Sequence, residues 1–157
     1  MTTPSTTENG TVSDRLDILA ALNNYAYGLD ERRWDRWDLV FTDDAVIDFT
    51  PMGGKREAPG EMRARLDKPD PDWLFAQHPV ANTVITIEGD RASAYSDYRM
   101  ELGRRSDTDG EIVRTSGGGA YEDTLLRTPA GWRISERRVS MKWRQTSQVR
   151  DEVTRRA

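Results

Sequence analysis

The sequence predicts an α+β fold in which N-terminal helices pack on a strongly curved antiparallel sheet to form a cone-shaped α+β barrel. Three observations support this prediction. Apolar residues near the N-terminus recur at helical spacing, the chain after about residue 77 alternates as strands do, and three consecutive glycines interrupt a long strand pattern. Glycines inside a strand often mark a bend that curves the sheet. A curved sheet over helices leaves one open end, where a pocket is expected.

The first predicted element is a helix over 14–28. Its apolar residues recur every three or four positions from Ile18 to Leu29. Ser13 is a suitable N-cap, and Gly28 offers a place for the helix to end. The rest of this half is predicted as a helix over 32–40, a strand over 45–49, a short helix over 61–66 and a linker with two prolines over 68–72.

A β-hairpin is predicted next, with strands over 80–88 and 91–102 around the turn signal Gly89-Asp90. Alternate residues from Ala92 to Leu102 share one face of its second strand.

Two further strands are predicted over 112–127, which contains the glycine run, and over 132–143. In the last strand the apolar residues change parity after Ile134. We therefore predict a β-bulge near 136–138, since one extra residue restores the alternation.

Length and charge bound the domain organisation and the possible partners. The 157 residues suit one domain, and we expect a disordered tail over 1–12, the domain over 13–145 and a polar tail over 146–157. The net charge of −4 disfavours a nucleic acid or a membrane surface as the main partner. The sequence shows no signal peptide pattern and no membrane-spanning run, so a cytoplasmic location is expected.

The absence of cysteine and the presence of a single histidine limit the possible chemistry. There is no thiolate nucleophile and no set of Cys and His metal ligands. The chain also lacks a phosphate-cradling glycine motif and a serine nucleophile motif. We therefore expect neither a cofactor nor a metal ion.

His78, the single histidine, and Asp30, just past the first helix, are the candidate acid–base pair. A histidine held by a carboxylate is fixed in one tautomer and titrates near neutral pH. Tyr25, on the apolar stripe, could donate a hydrogen bond to a developing enolate or could pack in the core. Structural interpretations also remain open. His78 could have a purely structural role, and Asp30 could pair with a neighbouring arginine.

The order of several short motifs resembles a known family. The motifs are Tyr-x4-Asp-x3-Trp-Asp, Phe-x-Asp-Asp-Ala, Gln-His at a strand start, Gly-Asp-x-Ala, Gly-x-Tyr-Glu-Asp and Gly-Trp-Arg-Ile. Together they resemble the SnoaL-like branch of the nuclear transport factor 2-like superfamily over about 14–143. The resemblance implies the same cone fold. It leaves function open, since the superfamily includes dehydratases, isomerases, cyclases, epoxide hydrolases and non-catalytic subunits.

The resemblance also implies roles for individual residues. Asp30 and His78 match the acid and histidine of scytalone dehydratase and the bile-acid 7α-dehydratases, and Tyr25 matches a tyrosine of the latter. Leu102 lies where scytalone dehydratase has a second histidine, and Phe49 lies where ketosteroid isomerases carry their base. The chain therefore departs from both of these enzymes.

We expect a cofactor-free dehydratase or isomerase/cyclase that acts on a hydrophobic, oxygenated, polyketide- or steroid-like molecule. His78 is the expected base, oriented by Asp30. A non-catalytic subunit, similar to ring-dioxygenase β subunits, is the alternative. Epoxide hydrolysis is a third possibility and would need two pocket acids flanking an arginine. We also expect a homodimer or homotrimer. The expected substrate-binding residues are Tyr98, Trp34, Phe49, Arg133 and Asp97.

Overall fold

The computed structural model describes residues 11–152. Helix α1 spans Val12–Asp30, so it is longer at both ends than the predicted 14–28. Thr11, rather than Ser13, caps it: the Thr11 hydroxyl accepts from the main-chain N–H of Asp14, and the Asp14 carboxylate accepts from that of Thr11. Gly28 does not end the helix. It is buried, and a Cβ at this position would lie 3.0 Å from the main-chain nitrogen of Trp37.

The segment after α1 differs most from its prediction. Helix α2 is a single turn, Trp34–Trp37, and strand β1 begins already at Phe41 and ends at Asp48. The chain turns early because it joins the sheet: the main-chain N–H of Ile134 donates to the carbonyl of Val40 at 2.8 Å. This pairing is long-range, so local helical spacing could not reveal it.

Helix α3 and strand β3 form one side of the open end. Helix α3 spans Pro59–Leu66 and starts two residues before the predicted 61–66, because proline suits the first helical position. Strand β3, Trp73–Gln77, was not predicted, since it is short and prolines lie on both sides of it. The smaller elements between β1 and α3 are a 3-10 turn at Thr50–Met52 and strand β2 at Arg56–Glu57.

The long strands agree with the predicted hairpin and its successors; the first has the predicted bounds, and the other three are longer than predicted. They are β4 Val80–Glu88, β5 Arg91–Arg105, β6 Glu111–Thr128 and β7 Gly131–Arg150. The predicted polar tail from residue 146 is therefore wrong as far as Arg150, where β7 still pairs with β6. The remainder of that predicted tail after residue 152, and the first ten residues of the predicted N-terminal tail, lie outside the described residues.

The sheet has seven strands in the order β2-β1-β7-β6-β5-β3, with β4 also paired to β5. β1 and β7 run parallel, whereas the other pairs are antiparallel. The predicted α+β class and curved sheet over helices are confirmed. Two details differ from the predicted cone with an antiparallel sheet: β1 and β7 run parallel, so the sheet is mixed, and the sheet does not close.

Irregularities in β7 decide which of its residues face the core. Ser135 is an extra residue against β6, one position before the predicted bulge, and Lys142 is a second. The first bulge moves the buried set from Trp132 and Ile134 to Arg137 and Val139.

The second bulge faces the glycine run. A Cβ on Gly119 would lie 1.8 Å from the carbonyl oxygen of Ser140, so glycine permits the close approach of β6 and β7.

The core lies between α1 and the concave face of the sheet. Residues from α1, β5, β6 and β7 make up most of it, including Ile18, Leu22, Tyr25, Tyr98, Tyr121, Leu125 and Ile134. Within residues 11–152, no helix is both long and apolar enough to cross a bilayer.

Candidate active site

His78 lies at a corner of the sheet. The outer edge of β5 pairs with β4 through residues 91–98 and with β3 through residues 101–104, and His78-Pro79 connects these two partners. Asp30, the last residue of α1, meets this corner. Its Oδ2 accepts a hydrogen bond from the main-chain N–H of His78 at 2.6 Å, and its Oδ1 bonds the ring Nδ1. One carboxylate therefore fixes both the main chain and the ring of the histidine.

This contact also determines which ring nitrogen is available. A carboxylate at Nδ1 favours the tautomer with the proton on Nδ1, which leaves the lone pair on Nε2. Nε2 has no hydrogen-bond partner within residues 11–152. Each of the two side chains keeps 11% of its surface exposed. The pair is therefore largely buried but still accessible from the surface.

His78 lines a cavity of about 410 Å³, whereas Asp30 stands behind it. This volume lies within the usual range for small-molecule sites. The inner walls are apolar and come from α1, α3, β3 and β5. They consist of Leu29, Met62, Leu66, Trp73, Ala76 and Leu102. An imidazole nitrogen beside these apolar walls can accept a proton from a molecule bound in the cavity.

Basic side chains surround the rest of the cavity. Arg32, Arg65, Lys68 and Arg104 line it, together with the single acid Asp70. The guanidinium of Arg104 donates two hydrogen bonds, of 2.7 and 3.1 Å, to the Asp70 carboxylate. These bonds lower the pKa of that carboxyl. Within residues 11–152, no three His, Asp or Glu side chains converge closely enough to hold a metal ion.

Tyr25 lies in the core and not on the cavity wall. It is 2% exposed, and its ring packs against Trp37, Phe41 and Tyr121. The guanidinium of Arg137 lies 3.9 Å from the ring centroid. Burial raises the pKa of Tyr25, although the charge of Arg137 opposes this. Its placement corresponds to the core-packing alternative, and the structure does not bring its hydroxyl to His78.

The predicted substrate-binding residues are likewise absent from this cavity. Tyr98 is buried and stacks on Tyr121, with ring centroids 4.3 Å apart. Asp97 binds Asn82 and Lys142 at the surface of the sheet. The indole N–H of Trp34 donates to Asp67 at 2.6 Å, Phe49 packs against the core, and Arg133 is a half-buried residue of β7 paired with Leu126.

A second acid–base pair is sealed in the core. Arg137 and Asp123 are joined by two hydrogen bonds of 2.7 Å, and both side chains are fully buried. Burial alone would lower the pKa of Arg137, but the Asp123 carboxylate reverses this and the net shift is upward, so the guanidinium stays charged. Within the described chain this arginine contacts one acid, so it does not meet the two-acid requirement of the epoxide hypothesis.

A comparison with known protein families identifies the family of this chain. The model of the SnoaL-like domain matches residues 10–138. The chain belongs to the SnoaL-like family. This confirms the resemblance drawn from the short motifs, which covered nearly the same range.

One relative of this SnoaL-like protein is the uncharacterized protein Rv2910c of Mycobacterium tuberculosis. It is 33% identical over 126 residues, which cover 80% of this chain and 84% of the relative. Among solved structures, the Kfla4162 protein from Kribbella flavida superposes with a TM-score of 0.75 at 26% identity, over 85% of this chain and 93% of that one.

Two more distant structures share the fold. One is the hexachlorocyclohexane dehydrochlorinase LinA-type3 from Novosphingobium barchaimii, with a TM-score of 0.72 at 16% identity over 87% of this chain and 91% of that one. The other is a provisionally assigned scytalone dehydratase from Novosphingobium aromaticivorans, with a TM-score of 0.72 at 16% identity over 88% and 91% of the respective chains.

The basic residues of the SnoaL-like cavity were missed at the level of sequence. Lys68 fell in a segment predicted only as a linker, and Arg104 lay beyond the predicted end of β5. Arg63, Arg65 and Lys68 are interleaved with acidic residues in and after α3, so the charge pattern there does not single out a basic site. The parity change that predicted the bulge could, however, have placed Arg137 inward.

Proposed function

We propose that this SnoaL-like protein is a cofactor-free lyase of the dehydratase type, acting on a hydrophobic β-hydroxy carbonyl compound of polyketide- or steroid-like character. One observation carries the proposal: the single histidine lines an apolar cavity while a carboxylate behind it holds its Nδ1. This is the arrangement that a general base needs, because the second ring nitrogen stays available to a substrate.

The proposed step begins with His78. Its Nε2 removes the proton on the carbon next to the carbonyl, and the electrons of that C–H bond form the new C=C bond. The C–O bond to the β-hydroxyl breaks, and the imidazolium returns the proton, so that water leaves. Asp30 stabilises the transient imidazolium through Nδ1–H. The same first step would also begin an isomerisation or a ring closure. Proton abstraction by His78 is therefore the step that all three reactions share.

Two features support elimination on an apolar molecule. The inner wall of the cavity offers aliphatic and indole surface to a hydrocarbon skeleton. In addition, the shared fold accommodates eliminations in other proteins, since one structural neighbour is named a dehydrochlorinase and another a dehydratase. Tyr25 takes no part in the proposed step, because it packs in the core.

Proton abstraction can be tested before the natural substrate is known. A panel of apolar β-hydroxy ketones would be incubated with the protein in D2O, with deuterium incorporation followed by NMR and enone formation by ultraviolet absorbance. We expect deuterium incorporation next to the carbonyl for at least one compound. His78→Asn should lower that rate by a factor of about 10² to 10⁴ without loss of the fold.

Gln77→Asn is the matched control, since Gln77 is an exposed neighbour that does not line the cavity. Its rate should equal that of the unaltered protein. A normal rate in His78→Asn would refute the proposal. Absence of exchange across the panel, together with co-purification of a larger chain, would instead favour the non-catalytic subunit.

A further inference from the structure

The basic side chains of the cavity are not equivalent. Arg104 is neutralised by Asp70, and Arg65 by the buried carboxylate of Glu57 at 2.7 Å. Arg32 and Lys68 line the same cavity, and neither forms an ion pair within residues 11–152, although the charge of Arg32 contributes to the lowered pKa of Asp70. The lining of the cavity therefore holds four basic side chains and one acid, and two of the basic side chains form no ion pair with the described part of the chain.

Arg32 is held in place by its backbone and by an aromatic ring. It lies in the turn between α1 and α2 with a φ of 51°, a left-handed conformation that is uncommon for residues other than glycine. Its guanidinium lies over the Trp73 ring, 5.3 Å from the centroid, and both residues line the cavity. Stacking occupies only the face of a guanidinium, so its N–H edge remains able to bind two oxygens at once.

We propose that the substrate is an apolar carboxylate, whose carboxylate group binds the N–H edge of Arg32 with charge support from Lys68. The inference rests on the proposed function, because it names the substrate class for that same cavity. A carboxylate fits best, since one guanidinium offers two parallel donors to its two oxygens. The apolar part of the molecule then lies against the inner wall, beside His78.

Binding can be measured without turnover by isothermal titration calorimetry on the full chain. The probes are 2-naphthoate and 2-naphthamide, which share one apolar skeleton and differ in charge. At low salt and about pH 7.5, where screening is weak, 2-naphthoate should bind about tenfold more tightly than 2-naphthamide. Added salt should reduce this ratio.

Arg32→Asn is the decisive variant, because asparagine tolerates the left-handed backbone and removes the charge. We expect it to bring the two probes to nearly equal affinity, whereas Lys68→Met should reduce the ratio by a smaller factor. The matched control is Arg33→Gln, which removes an exposed neighbouring arginine that pairs with Asp35 and does not line the cavity. It should keep the full ratio.

Several results would overturn the inference. Equal affinity of the two probes for the unaltered protein, or no binding of either, would do so. A ratio that Arg32→Asn leaves intact would also contradict it, as would tighter binding of 2-naphthyl phosphate. His78→Asn separates the two hypotheses: it should keep the carboxylate preference even though it strongly lowers the exchange rate. Loss of the preference in that variant would assign the anion to His78 and refute the role of Arg32.

Discussion

Two acid–base pairs of this protein are largely buried, but they differ in their accessibility to solvent and to a ligand. Asp30 and His78 each keep 11% of their side-chain surface exposed and adjoin a cavity, whereas Asp123 and Arg137 are fully buried. The bases differ as well, since a neutral imidazole has one nitrogen that can accept a proton, whereas a guanidinium has only donors. A carboxylate beside a base is therefore a catalytic candidate only where the base can accept a proton and a ligand can reach it.

Among changes to the acids of these pairs, the largest effect on activity is expected from Asp30→Asn. The amide can still accept the main-chain N–H of His78, but it does not stabilise an imidazolium as a carboxylate does. Turnover should fall by a factor of about 10² or more, with the free energy of unfolding nearly unchanged. Asp38→Asn, which alters an exposed acid paired with Arg63, is the control and should be silent in both measurements. Equal losses in the two variants would contradict the assignment.

The largest effect on stability is expected from Asp123→Asn. The change leaves the buried charge of Arg137 without its counter-ion, and one of its nitrogens, Nη1, already lacks a partner. The free energy of unfolding, measured by urea denaturation, should fall by about 3 to 5 kcal/mol.

A double variant sharpens this comparison. Asp123→Asn combined with Arg137→Met removes both charges, so it should be more stable than Asp123→Asn alone. If Asp123→Asn alone is as stable as the unaltered protein, the buried ion pair does not contribute to the stability of the core.

A third pair, Asp14 and Arg127, joins a nearly buried acid to a partly exposed arginine and predicts a pH dependence. Hydrogen bonds from Arg127, and then from the indole of Trp132, lower the pKa of Asp14 well below its usual value of 3.8. The carboxylate therefore stabilises the fold above about pH 4, and the stabilisation is lost as the pH falls further. Asp14→Asn should lower the melting temperature most at about pH 7 and by a smaller amount at about pH 3, because the stabilisation begins to decline below the usual pKa and is lost only as the pH approaches the lowered pKa. An equal loss at both values would refute this linkage.

The smallest effect is expected from Arg33→Gln, which breaks an exposed pair with Asp35 at 2.9 Å. Solvent screens such pairs and side-chain entropy opposes them. The melting temperature and the exchange rate should match those of the unaltered protein. A clear loss of either would mean that exposure is a poor guide to the importance of these pairs.

Much of the strand pattern was predictable, and so were two residues of the candidate site, His78 and Asp30. The hairpin of β4 and β5 follows from alternation around Gly89-Asp90, which are local signals. His78 was identifiable as the single histidine, and Asp30 by its place at the end of the first helix. The short β3 and the early start of β1 were not predictable, because both depend on partners far away in sequence.

Sequence alone determined the α+β class, the curved sheet and two residues of the candidate site, because periodicity and turn chemistry are encoded within short windows. Tertiary structure decided that Tyr25 packs in the core, that Arg137 turns inward after the bulge at Ser135, and that Arg32 and Lys68 share a cavity with His78. The reason is physical: burial and charge balance are properties of a closed packing arrangement, and residues distant in the chain set them together.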